Sequence, residues 1–166
     1  MKKILLSFML CLGLMSIPAM ANKIESDTSV GVGIAFNGGG TSVLQGGSAI
    51  KVPVNLNTIR IEPEFAWGYV DPDQGSSTNS FYLGSGVYLL NDMSNDINLY
   101  YGGKVGVRKI EFGGIDDTFF ELGGIFGFEY FMQKQVSLGG EIGLLIDIGD
   151  DKALGTQTAV TLRYYF

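Results

Sequence analysis

The sequence predicts an all-β fold, and two features of the chain lead to that prediction. Of its 166 residues 25 are Gly, and no stretch repeats apolar residues at helical spacing without a glycine, which costs roughly 1 kcal/mol at an interior helix position. Apolar and polar residues instead alternate with a period of two between turn-forming clusters. The alternation predicts eight strands, at residues 28–37, 48–56, 59–70, 81–90, 97–112, 118–131, 136–148 and 156–166.

The first 21 residues predict a cleaved export signal. Lys2 and Lys3 form a basic start, an apolar run covers residues 4–17, and Ala19-Met20-Ala21 fits an A-x-A cleavage site. The run is shorter than the ~20 residues of a spanning helix. Its removal leaves residues 22–166 as a single domain with 9 basic and 17 acidic residues, a net charge of −8.

The composition excludes several classes of function. An acidic chain lacks the basic surface that nucleic acids require, so we expect no nucleic-acid partner. The chain has no His, and its one Cys, Cys11, lies in the export signal. Disulfides, Cys/His metal sites and the commonest general base at neutral pH are therefore missing. We expect no catalytic residue, no metal site and no cofactor.

Each predicted strand separates a large apolar face from a face of glycine and charge. Phe65 and Trp67, for example, alternate with Glu64 and Ala66. The mid-strand charges on the polar faces balance, with five basic and five acidic residues: Lys51, Arg60, Lys104, Arg108, Arg163, Glu62, Glu64, Glu121, Glu129 and Glu141. Excess acid collects in the connections between strands.

A soluble sandwich would show the same alternation with the apolar face inward. Solvated sheet faces usually carry Lys, Thr and Glu rather than many glycines, whereas a balanced set of charges suits a narrow, closed interior where unpaired charge is costly. In hydrocarbon a sheet must close to pair its backbone polar groups. The sequence therefore predicts a transmembrane up-and-down antiparallel β-barrel with 8 strands, an even number as in bacterial barrels.

Hairpin geometry predicts ion pairs inside this barrel, because residues facing each other across a turn share one face. The pairs are Lys51 opposite Glu62, Arg108 opposite Glu121, and Glu141 opposite Arg163. Pro53 and Pro63 each remove a ladder donor, so we expect a local bulge near the turn at Asn57.

The end of the chain resembles a known targeting strand. Val160, Leu162, Tyr164 and Phe166 alternate up to a terminal Phe, as in the last strand of bacterial outer-membrane proteins. With the export signal and eight strands, the chain resembles the small eight-stranded barrels of the OmpA/OmpX and opacity-protein type. The resemblance implies a monomer in the outer membrane of a Gram-negative bacterium, with membrane lipid as a partner. It also implies an assembly signal at Leu162, Tyr164 and Phe166, read by the barrel-assembly machinery.

An even strand number places both chain ends on the periplasmic side. The expected inner turns are 57–58, 91–96 and 132–135, and the expected outer loops are 38–47, 71–80, 113–117 and 149–155, short for this class. We expect a non-enzymatic integral protein with a structural, envelope-integrity or surface-interaction role, with no surface ligand identified by the sequence.

The alternative function is a small channel for ions or slim solutes. An eight-stranded interior is about filled by side chains, and Tyr82, Tyr88, Tyr100 and Tyr165 are expected to point inward. The many inward glycines nevertheless leave room for water-sized gaps. Conductance in planar bilayers distinguishes the two functions.

Overall fold

The sheet closes on itself in the computed structural model, which describes residues 28–38, 47–71, 77–94, 96–150 and 152–166, with position 115 described by its backbone alone. The expected export signal lies outside these ranges. The strand segments are β1 (Thr28–Gly38), β2 (Ser48–Lys51), β3 (Val54–Leu56), β4 (Ile59–Val70), β5 (Thr78–Ser94), β6 (Ile97–Phe112), β7 (Ile115–Gln133), β8 (Val136–Ile148) and β9 (Lys152–Tyr165). From β4 to β9 each segment pairs antiparallel with the next, and β9 pairs with β1.

The nine segments form an eight-stranded barrel. Segments β2 and β3 lie end to end between β1 and β4 and together make one strand of the wall. This arrangement confirms the predicted closed antiparallel barrel. No helix in the described ranges is long and apolar enough to cross a membrane.

Two prolines lie on neighbouring wall strands, Pro53 between β2 and β3 and Pro63 within β4, and neither shifts the register. Residues 52–53 separate β2 from β3, yet the pairing with β4 continues in the same register on both sides. The carbonyl oxygens of Pro53 and Pro63 accept hydrogen bonds from the backbone nitrogens of Gly31 and Val52, each at 2.9 Å. Since proline lacks only the donor of a ladder contact, the predicted bulge here is wrong. Register shifts lie instead near the ends of β5 and β7.

Three strands extend beyond their predicted bounds. The strands predicted at 81–90, 118–131 and 156–166 are β5, β7 and β9, and each begins three or four residues earlier than expected. The predictions stopped at charged and turn-forming residues. Antiparallel pairing continues through them, because outside the apolar belt ladder hydrogen bonds hold a strand without strict alternation.

The connections are correspondingly shorter than predicted. The expected loop at 113–117 is a two-residue turn at Gly113 and Gly114, whose φ angles of 58° and 85° suit a type I′ hairpin. The expected loop at 149–155 ends where β9 begins at Lys152. The inner connections expected at 91–96 and 132–135 are also shorter, since β5 continues to Ser94 and β7 to Gln133, and the turn at Asn57 and Thr58 is confirmed. Residues 39–46 and 72–76 of the other two expected loops lie outside the described ranges.

The faces of the wall are oriented as predicted. Large apolar side chains point outward, such as Phe65 at 41% and Leu144 at 61% exposure, whereas their neighbours Glu64 and Leu145 are buried. A soluble sandwich would reverse these faces. The interior is consequently polar and the outer surface apolar, as hydrocarbon requires.

One side of the barrel extends further than the other at the end opposite the chain termini. Phe120 of β7 lies opposite Ile148, where β8 ends, so residues 115–119 pair with β6 alone in the described chain. Within the same ranges, residues 67–70 of β4 pair with β5 alone. We call this projecting four-stranded region, residues 67–70, 77–81, 109–113 and 115–119, the outer sheet.

Candidate functional site in the barrel interior

All of the charged residues predicted for the interior lie inside the barrel. Alternate positions on β2, β4 and β6 to β9 bring them there, and each has at most 7% of its surface exposed: Lys51, Arg60, Glu62, Glu64, Lys104, Arg108, Glu121, Glu129, Glu141 and Arg163. These side chains come from six strand segments, so the closed sheet gathers charges that are far apart in sequence.

Arg163 on β9 makes contacts in three directions. Its Nε donates to Glu62 Oε2 at 3.1 Å, and its Nη2 donates to Glu141 Oε1 at 2.8 Å. Its Nη1 donates to Thr161 Oγ1 at 2.7 Å and lies 3.8 Å from Glu129 Oε1. The rigid fork of donors in a guanidinium suits this bridging between carboxylates.

Lys51 on β2 approaches the same carboxylates. Its Nζ donates to Glu141 Oε2 at 2.6 Å and lies 3.2 Å from Glu62 Oε1. The Tyr100 hydroxyl donates to Glu141 Oε1 at 2.8 Å. We call Lys51, Glu62, Tyr100, Glu141 and Arg163 the central layer. Among the described residues, no buried side-chain polar atom of this layer lacks a hydrogen-bond partner.

A second group of contacts lies toward the chain termini. Arg60 Nη2 forms an ion pair with Glu129 and also donates to the Tyr165 hydroxyl at 2.9 Å, while Nε donates to Asn55 at 2.7 Å. Glu129 Oε1 accepts from the Ser137 and Tyr165 hydroxyls at 2.5 and 2.7 Å. The Glu129 carboxylate is therefore surrounded by donors.

Lys104 carries the contacts toward the opposite end. Its Nζ lies 3.3 Å from Glu64 Oε2 and 3.2 Å from Glu121 Oε1. It also donates to Gln157 Oε1 at 3.2 Å and lies 4.7 Å from the centre of the Tyr82 ring. One ammonium thus neutralises carboxylates from β4 and β7.

Arg108 forms an ion pair with Asp147, a residue that the predicted charge set omits. Arg108 also lies 4.0 Å from Glu121. Asp147 has the same parity on β8 as Glu141, so its inward position was readable from the alternation. The alternation places it on the polar face of the strand predicted at 136–148, although the predicted set of balanced mid-strand charges leaves it out.

The ion pairs join into one network that runs along the barrel. Glu64 lies 3.8 Å from Lys51 as well as 3.3 Å from Lys104, which links the central layer to the outer contacts. With Asp147 included, the described interior holds six acids and five basic residues. Because isolated charges are very costly away from water, these mutual pairings are what permit so polar an interior.

The predicted hairpin pairs make contact, but their registers are wrong. Lys51 lies opposite Glu64 rather than Glu62, Arg108 opposite Phe119 rather than Glu121, and Glu141 opposite Ala159 rather than Arg163. Long side chains reach diagonally across the narrow interior, so they meet without being direct neighbours. In the second and third hairpins the turn centres were predicted too far along the chain, because β7 and β9 begin earlier than expected. In the first hairpin the turn is as predicted, and the partner of Lys51 was placed two residues too close to it.

Tyrosine rings cover inward glycines and leave no gaps over them. A Cβ on Gly106 would come within 2.6 Å of the Tyr82 ring, and a Cβ on Gly127 within 2.6 Å of the Tyr100 ring and hydroxyl. A Cβ on Gly84 would likewise meet the Tyr82 ring. The expectation that inward glycines leave water-sized spaces is wrong at these positions, because a ring lies where each side chain would otherwise be.

A small cavity lies in the interior beyond the central layer. Its volume is about 10 Å³ and its lining includes Tyr82, Lys104, Glu121, Leu145 and Gln157. A space of this size holds about one water molecule. The Tyr82 hydroxyl has no hydrogen-bond partner in the described structure, and Glu121 Oε1 has only its ion pair with Lys104 at 3.2 Å. Both atoms are therefore natural contacts for such a water.

The residues of the predicted assembly signal lie on the outside of the wall. Tyr164 is 43% and Phe166 74% exposed, and their rings meet edge to face at 5.4 Å. Leu162 shares this face and pairs with Ile34 across the β1–β9 seam. The seam leaves the three side chains accessible from outside.

The described residues contain no cluster of three or more His, Cys, Asp or Glu arranged to hold a metal ion. The carboxylates inside the barrel contact Lys and Arg side chains, which lie where a metal ion would otherwise bind.

An apolar outer face, a closed antiparallel wall and an ion-paired interior together define an integral outer-membrane β-barrel. The chain belongs to the outer membrane protein beta-barrel domain family, whose model matches residues 7–166.

Solved structures share this fold. Neisserial surface protein A is 16% identical with a TM-score of 0.64, over 85% of this chain and 98% of that one. Ail, the attachment invasion locus protein of Yersinia pestis, is 14% identical with a TM-score of 0.52, over 89% and 100%. Ail in complex with the heparin analogue sucrose octasulfate matches at 14% identity and a TM-score of 0.51, over 84% and 97%. At these identities the likeness shows the fold alone. No curated protein matches the chain.

Proposed function

We propose that this chain is a non-enzymatic, non-conducting integral protein of a Gram-negative outer membrane that acts in envelope integrity and surface contact. The single observation that carries the proposal is the central layer. Its cations, carboxylates and phenol meet at 2.6–3.3 Å across the barrel interior. A conducting pathway would have to break these contacts.

The packing on either side of the central layer supports a closed interior. Tyrosine rings cover Gly84, Gly106 and Gly127, and the adjoining cavity has room for about one water. The small channel remains the alternative function. It requires a continuous water path through the level of Glu141 and Arg163.

The outer sheet supports a role in surface contact. In it β4, β5, β6 and β7 extend beyond the rest of the wall, at the end with the longer connections, which face outward in this class. The names of the structural neighbours, a surface protein and an attachment invasion locus protein, agree with such a role.

The charge of that end argues against polyanions such as the ligand seen with Ail. The exposed charged residues described there are mostly acidic: Asp71, Glu111, Asp116, Asp117 and Asp150 against Lys109 and Lys152. Such a surface repels sulfate groups. The surface partner of this chain therefore differs in chemistry from sucrose octasulfate.

The non-enzymatic assignment is supported by the absence of His from the sequence and by the state of the buried charges. Lys51 and Lys104, the buried lysines available as bases, each neutralise two or more carboxylates. A lysine so engaged is held in its charged form and makes a poor proton acceptor. The barrel-assembly machinery and membrane lipid are the proposed partners of a monomer.

Conductance of the purified, refolded protein in planar lipid bilayers tests the proposal. We expect no steady single-channel steps from the wild type. The double variant Glu141→Ala, Arg163→Ala removes two members of the central layer and serves as the positive control. We expect it to conduct more current than the wild type. Reproducible steps from the wild type would establish the channel function instead.

A further inference from the structure

Three successive rows of outward side chains mark where the wall leaves the apolar part of the membrane. The first row is entirely apolar: Phe65, Leu83, Val107 and Phe120. The second row is amphipathic: Trp67, Phe81, Lys109 and Thr118. The third row is polar apart from its tyrosine: Tyr69, Asn79, Glu111 and Asp116. Aromatic residues of this kind mark the interface of barrel membranes, so the third row lies at the level of the lipid headgroups.

A groove opens at this third row, on the outward face of the outer sheet. Its volume is about 460 Å³ and its lining residues are Tyr69, Ser77, Asn79, Glu111, Gly113 and Gly114. This size lies within the roughly 300–1,000 Å³ of small-molecule sites. A Cβ on Gly114 would meet nothing within 4 Å, so the turn leaves this end of the groove open.

The wall of the groove combines an aromatic face with hydrogen-bonding groups of both kinds. Tyr69 is 58% exposed and lies directly opposite Asn79, which lies directly opposite Glu111. Trp67 Nε1 donates to Asn79 Oδ1 at 2.8 Å, which orients the amide with its NH₂ donors directed away from the indole. A carboxylate acceptor, amide donors and a ring face therefore share one surface.

This combination suits a sugar ring better than other small ligands. A pyranose has one face of C–H groups that packs on an aromatic ring, and a rim of hydroxyls that donate to carboxylates and accept from amides. A phosphate group would meet the Glu111 carboxylate and be repelled. An acyl chain would leave Glu111 and Asn79 desolvated without partners.

We propose that this groove binds an uncharged saccharide unit in the headgroup of an outer-leaflet glycolipid. The headgroup level of the third row provides the source, because a lipid-anchored sugar is presented there at high local concentration. The inference rests on the proposed placement of the outer sheet outside the membrane. It does not depend on whether the interior conducts.

The single Trp of the chain provides the measurement, since Trp67 borders the groove and bonds to Asn79. The refolded protein is reconstituted in nanodiscs of phosphatidylethanolamine and phosphatidylglycerol with increasing lipopolysaccharide. We expect a saturable shift of Trp67 emission. In Tyr69→Ala and Glu111→Gln, the mole fraction of lipopolysaccharide at half-saturation should rise about tenfold, as expected for loss of one stacking or charged hydrogen-bond contact.

Tyr130→Ala is the matched control, because Tyr130 is an exposed aromatic residue at the inner end of β7. Its half-saturation should equal that of the wild type, and heat-modifiable gel migration verifies that every variant is folded. Equal half-saturation in Tyr69→Ala, Glu111→Gln and wild type would overturn the proposal. An equal shift from the delipidated saccharide of the same lipopolysaccharide, added to phospholipid nanodiscs, would overturn the glycolipid source in favour of a free glycan. If the wild type shows no saturable shift with lipopolysaccharide but also no channel conductance, the groove proposal fails and the proposed function stands.

Discussion

Arg163 and Glu141 form a 2.8 Å ion pair on neighbouring strands, although Glu141 lies directly opposite Ala159. The contact is diagonal because the guanidinium reaches along the interior rather than across to its nearest neighbour. Both groups also bind other members of the central layer. The pair is therefore part of a shared network, and its removal should affect more than two residues.

Removing one member of this pair should destabilise the barrel strongly. Glu141→Gln or Arg163→Met leaves a buried partner short of its counter-charge, a loss of about 3–5 kcal/mol when a buried pair is broken. The double variant should recover part of either loss. Urea unfolding in detergent measures the coupling of the double-mutant cycle, which we expect at about 1–3 kcal/mol. A coupling of zero would mean that water screens these charges.

A charged side chain on the outward face of the wall should cost more free energy near the middle of the membrane than near its surface. Leu144 lies on the outward row that contains Gly103 and Gly124, midway along β6 between its ends. Leu144→Arg should cost about 2–4 kcal/mol of insertion free energy, and Leu154→Arg, near the outer end of β9, only about 0–1 kcal/mol. Refolding titrations into lipid vesicles measure both. Equal costs would show that Leu144 lies outside the hydrocarbon.

A side chain should destabilise the barrel at one glycine of β7, Gly127, and have little effect at another, Gly124. Gly127→Val would force the Tyr100 ring out of its place and should destabilise the barrel by about 1–3 kcal/mol, the usual cost of overpacking. Gly124→Val is the control, because a Cβ there meets no atom closer than 4.0 Å. Thermal or urea unfolding in detergent compares them. A neutral Gly127→Val would show that the ring does not need the glycine surface.

Deletion of Phe166 should separate assembly in the cell from stability of the barrel. Phe166 is 74% exposed and packs on Tyr164 alone among the aromatic residues described. We therefore expect refolding of the purified variant in detergent to be close to wild type. If the terminal residue is read by the assembly machinery, the amount of folded protein in the membrane of cells should fall. Wild-type amounts would contradict the proposed role of Leu162, Tyr164 and Phe166 as the assembly signal.

The sequence predicts most of the wall because the membrane imposes a simple rule on it. Outward positions such as Phe65 and Leu144 must be apolar, so alternation shows both the strand and its orientation. The rule ends where the hydrocarbon ends. Strand bounds at residues 78–80 and 115–117 were therefore missed, since charged and turn-forming residues there pair as regular strands.

The sequence predicts which charged residues lie in the interior but not which of them pair with each other. Burial requires charges to balance, so the inward set from Lys51 to Arg163 was recognisable from parity alone. Its partners depend on register and on the reach of long side chains, and a shift of two residues in a turn leaves the alternation unchanged. The pairing of Asp147 with Arg108, the Tyr100 ring over Gly127 and the groove beside Tyr69 arise from residues far apart in sequence. Closure of the sheet brings those residues together, and for that reason only the tertiary structure decided them.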